Sequence, residues 1–381
     1  MFLVFFADST AAPAIPYQVR EFLKEEIAVV TTIGALSSFF NLVRTSVNLP
    51  AGLIADKFGR KRLVLFSTLL FPLSYLLLLI SSNVSLIFAS FMVTGICLGI
   101  LGPVMNAFVA DITKKASRAT AYGIFNLSWI LGQTLAPVIG GFLAESAGLK
   151  VPFTAALVIS IANIILLLKA MKSVEEAKTI EKETPLEYEK PAEELTAGYK
   201  RILFLFGGDS ILLGLANGIL MTIFYAYLMY VLGISVFEMG ISFSIGWGVA
   251  TAIAQLPGGK LADKFGRKTI VLMCGIASTL LIPLLPLTKS LTQFICILAL
   301  ICFIGNLSNP AYSAWLMDHM PTKRRAGGFG LTGAAFGIGT IIGPIMGGIL
   351  WAAFIPNATI PFIIAATIFL LRIPIISAIK A

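Results

Sequence analysis

The apolar residues of this chain gather in runs of about 20, the length at which an α-helix crosses a bilayer core at 1.5 Å per residue. Nothing else in the sequence constrains the fold as strongly. A backbone in lipid has no water to bond to, so it closes its own hydrogen bonds as a helix or a sealed barrel, and runs this long are helices. With 57% apolar and 12% charged residues among 381, too little charge remains for a soluble fold, which uses about 25%.

Twelve runs are bounded by charge and turn residues: 1–19, 27–53, 63–81, 86–110, 122–144 and 153–168, then 202–228, 237–258, 269–287, 291–317, 327–353 and 359–376. Met1 leads directly into Phe2 to Phe6 without a basic leader or small-residue cleavage site. No cleavable signal peptide is therefore expected, and span 1 stays in the membrane. The stretch 171–200 carries eight glutamates interleaved with lysines and two prolines, and reads as a solvated linker. The expected organisation is a six-helix bundle over 1–170, the linker over 171–200 and a second bundle over 201–381.

The loops after spans 2, 4, 8 and 10 hold fourteen Lys and Arg, in the groups Lys57 to Arg62, Lys114 to Arg118, Lys260 to Lys268 and Lys323 to Arg325. The opposite loops hold four: Arg20, Lys24, Lys150 and Lys289. That bias places both termini in the cytoplasm of a cell-membrane protein. It also accounts for the net charge of +9, so nucleic-acid binding is not expected. The partners are the bilayer and a small-molecule substrate, and the chain is expected to act as a monomer. Cys97, Cys274, Cys296 and Cys302 lie inside apolar runs as small hydrophobes. The single histidine, His319, stands at a helix end without a companion. No nucleophile–base pair or metal cluster is present, so neither an enzyme nor a metal or other cofactor is expected.

The second half repeats the first at an offset of 207 residues. Leu49-Pro50-Ala51-Gly52-Leu53-Ile54-Ala55-Asp56-Lys57-Phe58-Gly59-Arg60-Lys61 meets Leu256-Pro257-Gly258-Gly259-Lys260-Leu261-Ala262-Asp263-Lys264-Phe265-Gly266-Arg267-Lys268, identical at ten of thirteen positions. The same offset pairs Asp111 with Asp318, Arg118 with Arg325, and Gly132-x-x-x-Ala136-Pro137-x-x-Gly140-Gly141 with Gly339-x-x-x-Gly343-Pro344-x-x-Gly347-Gly348. Small residues four apart let helices approach closely, and proline bends the span between them. Gly52 and Gly259 are read in the same way, as places where another backbone comes near.

The doubled Gly-x-x-x-Asp-x-x-Gly-Arg-Lys loop is similar to the signature loop of the major facilitator superfamily, and the resemblance covers essentially the whole chain. It implies an all-α membrane protein of twelve transmembrane helices in two six-helix parallel pseudo-repeats, with substrate bound between them by alternating access. It also implies a conformational latch made of Gly52, Asp56, Gly59, Arg60, Asp111 and Arg118, repeated as Gly259, Asp263, Gly266, Arg267, Asp318 and Arg325. In that latch Arg60 and Arg267 bridge to Asp111 and Asp318. The Pro-Gly-Gly pattern of span 5 resembles that of proton-coupled exporters, although the exporter pattern has an Arg in span 4 near Phe91 and this chain has none. Spans 1, 4, 7 and 10 line the cavity in the family, which makes Tyr17, Gln18, Asn106, Asn217, Tyr225, Tyr227, Asn306, Asn309, Tyr312 and Trp315 substrate-cavity candidates. Aromatics with scattered amides suit an amphipathic organic solute.

Charge at the bilayer centre costs at least about 2.5 to 3.5 kcal/mol on insertion scales, so intramembrane Asp8, Arg44 and Asp209 are candidates for proton coupling. Asp8 and Asp209 share the pattern Phe-x-x-Asp-Ser in spans 1 and 7, each about seven residues in, or on the order of 10 Å from the cytoplasmic edge. Two readings stand: each Asp caps a helix N-terminus, or each serves proton or substrate. Arg44, at similar depth, is placed to pair with Asp8, leaving Asp209 as the titrating group. Arg372, near the end of span 12, reads as snorkelling to the headgroups. Protons are the one coupling ion this pattern provides for. A secondary active transporter follows, with a facilitator or a transporter-like sensor as alternatives.

The latch makes a testable asymmetry. By resemblance the first-half loop faces span 11 and holds the outward-facing state, so Asp56→Asn shifts cysteine-accessibility labelling toward the inward-facing form more than Asp263→Asn does. Equal labelling of both variants and the parent removes the latch.

Overall fold

In a computed structural model the described residues are 1–113, 118–178, 197–320 and 325–379. Span 1 is two short helices, α1 (Phe2–Ala11) and α2 (Ala14–Leu23), because Pro13 lacks an N–H at the junction. Spans 2 to 6 are α3 (Glu26–Phe58), α4 (Arg60–Leu79), α5 (Val84–Ile112), α6 (Arg118–Ala147) and α7 (Val151–Lys178). Span 7 is α8 (Ala197–Ala226), ending in a π-helical turn at Tyr227–Val231. Span 8 is α9 (Val236–Ile241), a π-helical stretch at Ser242–Val249, and α10 (Ala250–Phe265). Spans 9 to 11 are α11 (Arg267–Leu281), α12 (Leu291–Asp318) and α13 (Arg325–Phe354). Span 12 is α14 (Thr359–Leu370) and α15 (Arg372–Ala378), broken at Leu371.

Among the described residues eleven spans are long and apolar enough to cross a membrane, and the interrupted first span makes the twelfth. Two helices run into the stretch read as linker, α7 as far as Lys178 and α8 from Ala197; residues 179–196 lie outside the described part. Large apolar side chains cover the outside, with Phe204 80% exposed and Met273 and Ile124 each 63% exposed. That is the surface of a protein whose solvent is lipid. One core unites Ala7, Leu36, Phe71, Leu101 and Phe153 of the first half. The second half builds two, around Ile223 and Phe294 and around Phe206 and Trp315.

Glycines of the Pro-Gly-Gly helices divide between two tasks. Gly132 and Gly140 lie against the backbone of α1, and Gly339, Gly343 and Gly347 against that of α8, all within one half. One residue round the helix, Pro137 and Gly141 of α6 face α9 of the other half, while Pro344 and Gly348 of α13 face α3. The crossings are equivalent in detail. A Cβ added to Gly240 would collide with the Pro137 carbonyl, and one added to Gly34 with the Pro344 carbonyl. Four residues on, Ser244 Oγ accepts from the Val138 N–H at 3.1 Å and Ser38 Oγ accepts from the Ile345 N–H at 3.1 Å. Proline removes its own N–H and displaces the carbonyl one turn back, and the N–H just past it is met by a hydroxyl from the opposite half.

Gly34-x-x-x-Ser38 and Gly240-x-x-x-Ser244 stand 206 apart rather than 207. The extra residue of the second half is absorbed by the π-helical stretch Ser242–Val249, whose wider turn accommodates an insertion without breaking the helix. Further hydrogen bonds between the halves run from Tyr17 Oη to Ile234 O (2.6 Å), Phe237 N to Glu145 Oε2 (3.2 Å) and Trp351 Nε1 to Glu26 Oε1 (3.0 Å). These three lie at the end of the molecule that carries the α2–α3 and α6–α7 turns.

Gly52 and Gly259 depart from their reading, since a Cβ at either would meet nothing within 4 Å. No neighbouring backbone approaches them. Gly240→Ala is therefore expected to lower stability by about 1 to 3 kcal/mol through overpacking, whereas Gly259→Ala leaves it unchanged or slightly raised. Thermal unfolding of the two purified variants in detergent checks the difference.

Candidate functional site

Among the described residues two cavities with a charged side chain in their lining lie inside the bundles, one mainly in each half, and a smaller one lies between the halves at Trp129, Gln133, Trp247 and Thr251. The first, of about 190 Å³, lies among α1, α2, α3, α4 and α5, and is lined by Asp8 with Phe40, Tyr75, Phe91 and, from α8 of the other half, Tyr225. Ser37, Ser90 and Thr94 add hydroxyls. The Tyr75 hydroxyl is buried without a hydrogen-bond partner, an unmet polar group beside the acid. Tyr225 is held from behind by Phe243, with ring centroids 5.1 Å apart.

Asp8 sits within α1, six residues past its start, and Asp209 well within α8. Neither caps a helix. Arg44 interacts with Asp8 through space, but the two make no ion pair within 4.0 Å, and Arg44 does not line the cavity.

The second cavity, of about 370 Å³, is enclosed by α8, α11, α12 and the two pieces of span 12, with Trp247 and Phe336 at its inner edge. Asn217, Asn306, Asn309, Tyr312 and Arg372 give it polar groups, and Leu220, Met221 and Phe224 an apolar wall. Arg372 corrects the snorkelling reading. Its side chain reaches inward, where Nε donates to Asp209 Oδ1 at 2.8 Å and Nη2 to Asp209 Oδ2 at 3.2 Å. Asp209 is 0% exposed and Arg372 12% exposed, so the acid expected to stand alone belongs to a buried bidentate pair.

The other candidates divide by the face of the helix they occupy. Asn217, Asn306, Asn309 and Tyr312 line the second cavity and Tyr225 the first. Asn309 Nδ2 donates to Asn306 Oδ1 at 2.7 Å, and Asn306 Nδ2 to Thr251 Oγ1 at 3.1 Å. Tyr17 lies at the outer rim with Arg20 and Lys24. Gln18, Tyr227 and Trp315 line neither cavity. Gln18 is buried and donates to Leu78 O and Ser81 Oγ; Tyr227 is buried against Phe294 and Phe362 and donates to Thr288 O; Trp315 is buried against Phe206. In this structure these three side chains lie away from both cavities.

At the loop motif, Gly59 and Gly266 turn the chain with φ of 93° and 88°, a conformation that favours glycine. Arg267 forms an ion pair with Asp318 and donates to Ala314 O at 3.2 Å, while Asp263 is exposed. Arg60 is held by interactions of its own. The side chains of Asp56, Asn106, Asp111, Arg118 and Arg325 lie outside the described part. His319 ends α12, its Nδ1 2.9 Å from Trp315 O, and all four cysteines are free. Among the described residues no His, Cys, Asp and Glu cluster could hold a metal.

Each of the two repeated bundles thus holds a cavity with a charged side chain in its lining. The Multidrug resistance protein 2 of Bacillus subtilis (strain 168) is 26% identical over 371 residues, covering 96% of this chain and 89% of that protein. The Tetracycline resistance protein, class H, of Pasteurella multocida is 25% identical over 336 residues, covering 88% and 82%. The crystal structure of a D-xylose-proton symporter superposes with a TM-score of 0.79 at 14% identity, covering 100% of this chain and 96% of that one, which shows a shared fold. The model of the family described as Major Facilitator Superfamily matches residues 1–208 and 210–378, so the chain belongs to the Major Facilitator Superfamily.

Proposed function

We propose that this multi-pass membrane protein is a secondary active transporter that exports a small, apolar organic cation in exchange for protons, with Asp8 as the group that carries one or the other. The observation that supports this most is the first cavity, where Asp8 shares its walls with Phe40, Tyr75, Phe91 and Tyr225 and, among the described residues, has no direct ion-pair partner. Aromatic faces attract a cation, and the attraction strengthens when the site is desolvated. A proton and an organic cation cannot both neutralise one carboxylate. Competition between them at a site of alternating access gives antiport. Near Phe91 the exporter pattern carries an Arg that this chain lacks, and here the cavity wall is aromatic. The printed names of the relatives, which concern multidrug and tetracycline resistance, agree with export of drug-like organic compounds.

The rocking bodies in this reading are 1–170 and 201–381, joined by 171–200, with both termini in the cytoplasm and one chain as the working unit. Arg267 with Asp318, and Arg60 with Asp111, serve as the latch together with their loop glycines. The sequence made Asp209 the titrating acid and Asp8 the partner of an arginine. The bidentate hold of Arg372 on Asp209 supports the reverse assignment.

Proteoliposomes loaded at acid pH test the proposal, with tetraphenylphosphonium as solute. The parent is expected to accumulate it above the external concentration, and Asp8→Asn to lose that accumulation while downhill flux persists. Uphill transport retained by Asp8→Asn sinks the assignment.

Asp209→Asn acts differently, by leaving Arg372 unpaired. Breaking a buried pair from one side costs about 3 to 5 kcal/mol, so folded yield falls. Pairing the change with Arg372→Gln is expected to recover most of that yield, as size-exclusion profiles of the single and double variants will show.

A further inference from the structure

The two cavities present opposite charges to an occupant. In the first half the acid, Asp8, lines the cavity while Arg44 stays outside the lining; in the second half the base, Arg372, lines the cavity while Asp209 is sealed behind it. A buried ion pair seen from one side is a dipole, and an occupant of the second cavity meets its positive end. Two of the five guanidinium N–H groups point at Asp209, and among the described residues Nη1 has no acceptor. Its donors remain for a ligand.

The rest of the lining sorts the ligand further. Tyr312 and the linked amides of Asn306 and Asn309 stand on the polar side, and Leu220, Met221 and Phe224 form an apolar wall across from them. The space exists because small residues flank it. Gly275 is part of the lining, and a Cβ there would meet nothing within 4 Å. At about 370 Å³ the cavity lies within the range of small-ligand sites, roughly 300 to 1,000 Å³.

We infer that the cavity of the second half is a binding site for an organic monoanion, a carboxylate on an apolar aromatic body, with the carboxylate on Arg372 and the body against Leu220, Met221 and Phe224. This site is separate from the Asp8 cavity and has the opposite charge preference. Binding, not transport, is the readout, so the test stands whether or not Asp8 couples protons.

The probe is naphthalene-2-carboxylate, with naphthalene-2-carboxamide as its neutral isostere. Both are titrated against purified full-length protein in which Trp129, Trp315 and Trp351 are replaced by Phe, so that Trp247, at the edge of the cavity, is the fluorophore. Saturable quenching by the carboxylate is expected, with the amide binding on the order of tenfold or more weakly, since a charge-assisted hydrogen bond is lost. Asp209→Asn with Arg372→Gln, which removes both charges together, is expected to raise the carboxylate Kd by a similar factor. Gly275→Leu is expected to do the same by filling the cavity without touching the ion pair, and it carries the test if the double variant fails to fold. Tetraphenylphosphonium binding, measured in parallel, reports the Asp8 cavity independently. The inference is overturned if the amide binds as tightly as the carboxylate, if Gly275→Leu leaves the carboxylate Kd unchanged, or if no saturable quenching occurs.

Discussion

The N–H just beyond Pro137 and the N–H just beyond Pro344 each donate to a serine of the other half, Ser244 and Ser38. The interface between the bundles is thus fastened through backbone donors in the turns that carry the prolines. Gly240 and Gly34 sit directly over the proline carbonyls, so the backbones approach closely at both crossings, and Phe142 packs against Phe237 beside the first. A polar group left without its partner in lipid costs several kcal/mol, so these two contacts fix where the halves meet.

Charge inside the bundles stands beside spans that are divided into two helices. Arg372 opens α15 and meets Asp209 with both nitrogens in bonding geometry. Span 1 is likewise interrupted at Ala12 and Pro13, and the residues around that junction line the Asp8 cavity.

Much of this was legible in the residues. Spans follow from length and hydrophobicity, and a duplication in one register across several spans names the architecture. Finer features were hidden for identifiable reasons. The Gly-x-x-x-Ser pair escaped because the π-helical insertion after Ser244 puts it one residue out of register with the rest of the repeat. Arg372 looked like a snorkelling end residue from its place near the end of span 12, although Pro374, which lacks the N–H that would bond Leu370, marks the break in the sequence. Gln18, Tyr227 and Trp315 resemble cavity residues by type, yet type does not say which face of a helix a residue occupies when every face is apolar. Gly52 and Gly259 show the converse: a repeated glycine invites a packing explanation, and open space surrounds both.

The α8 helix ties the two cavities together. It gives Asn217, Met221 and Phe224 to the cavity of its own half and, one residue further on, Tyr225 to the cavity of the other. Among the described residues Tyr225 is the one side chain of the second half that reaches Asp8's surroundings. Directly beyond it the helix widens into the π-helical turn at Tyr227–Val231, anchored by the Tyr227 hydroxyl on Thr288. Phe224 and Tyr225 are successive residues that wall different cavities, so the angle of α8 about its own axis fixes part of the lining of both.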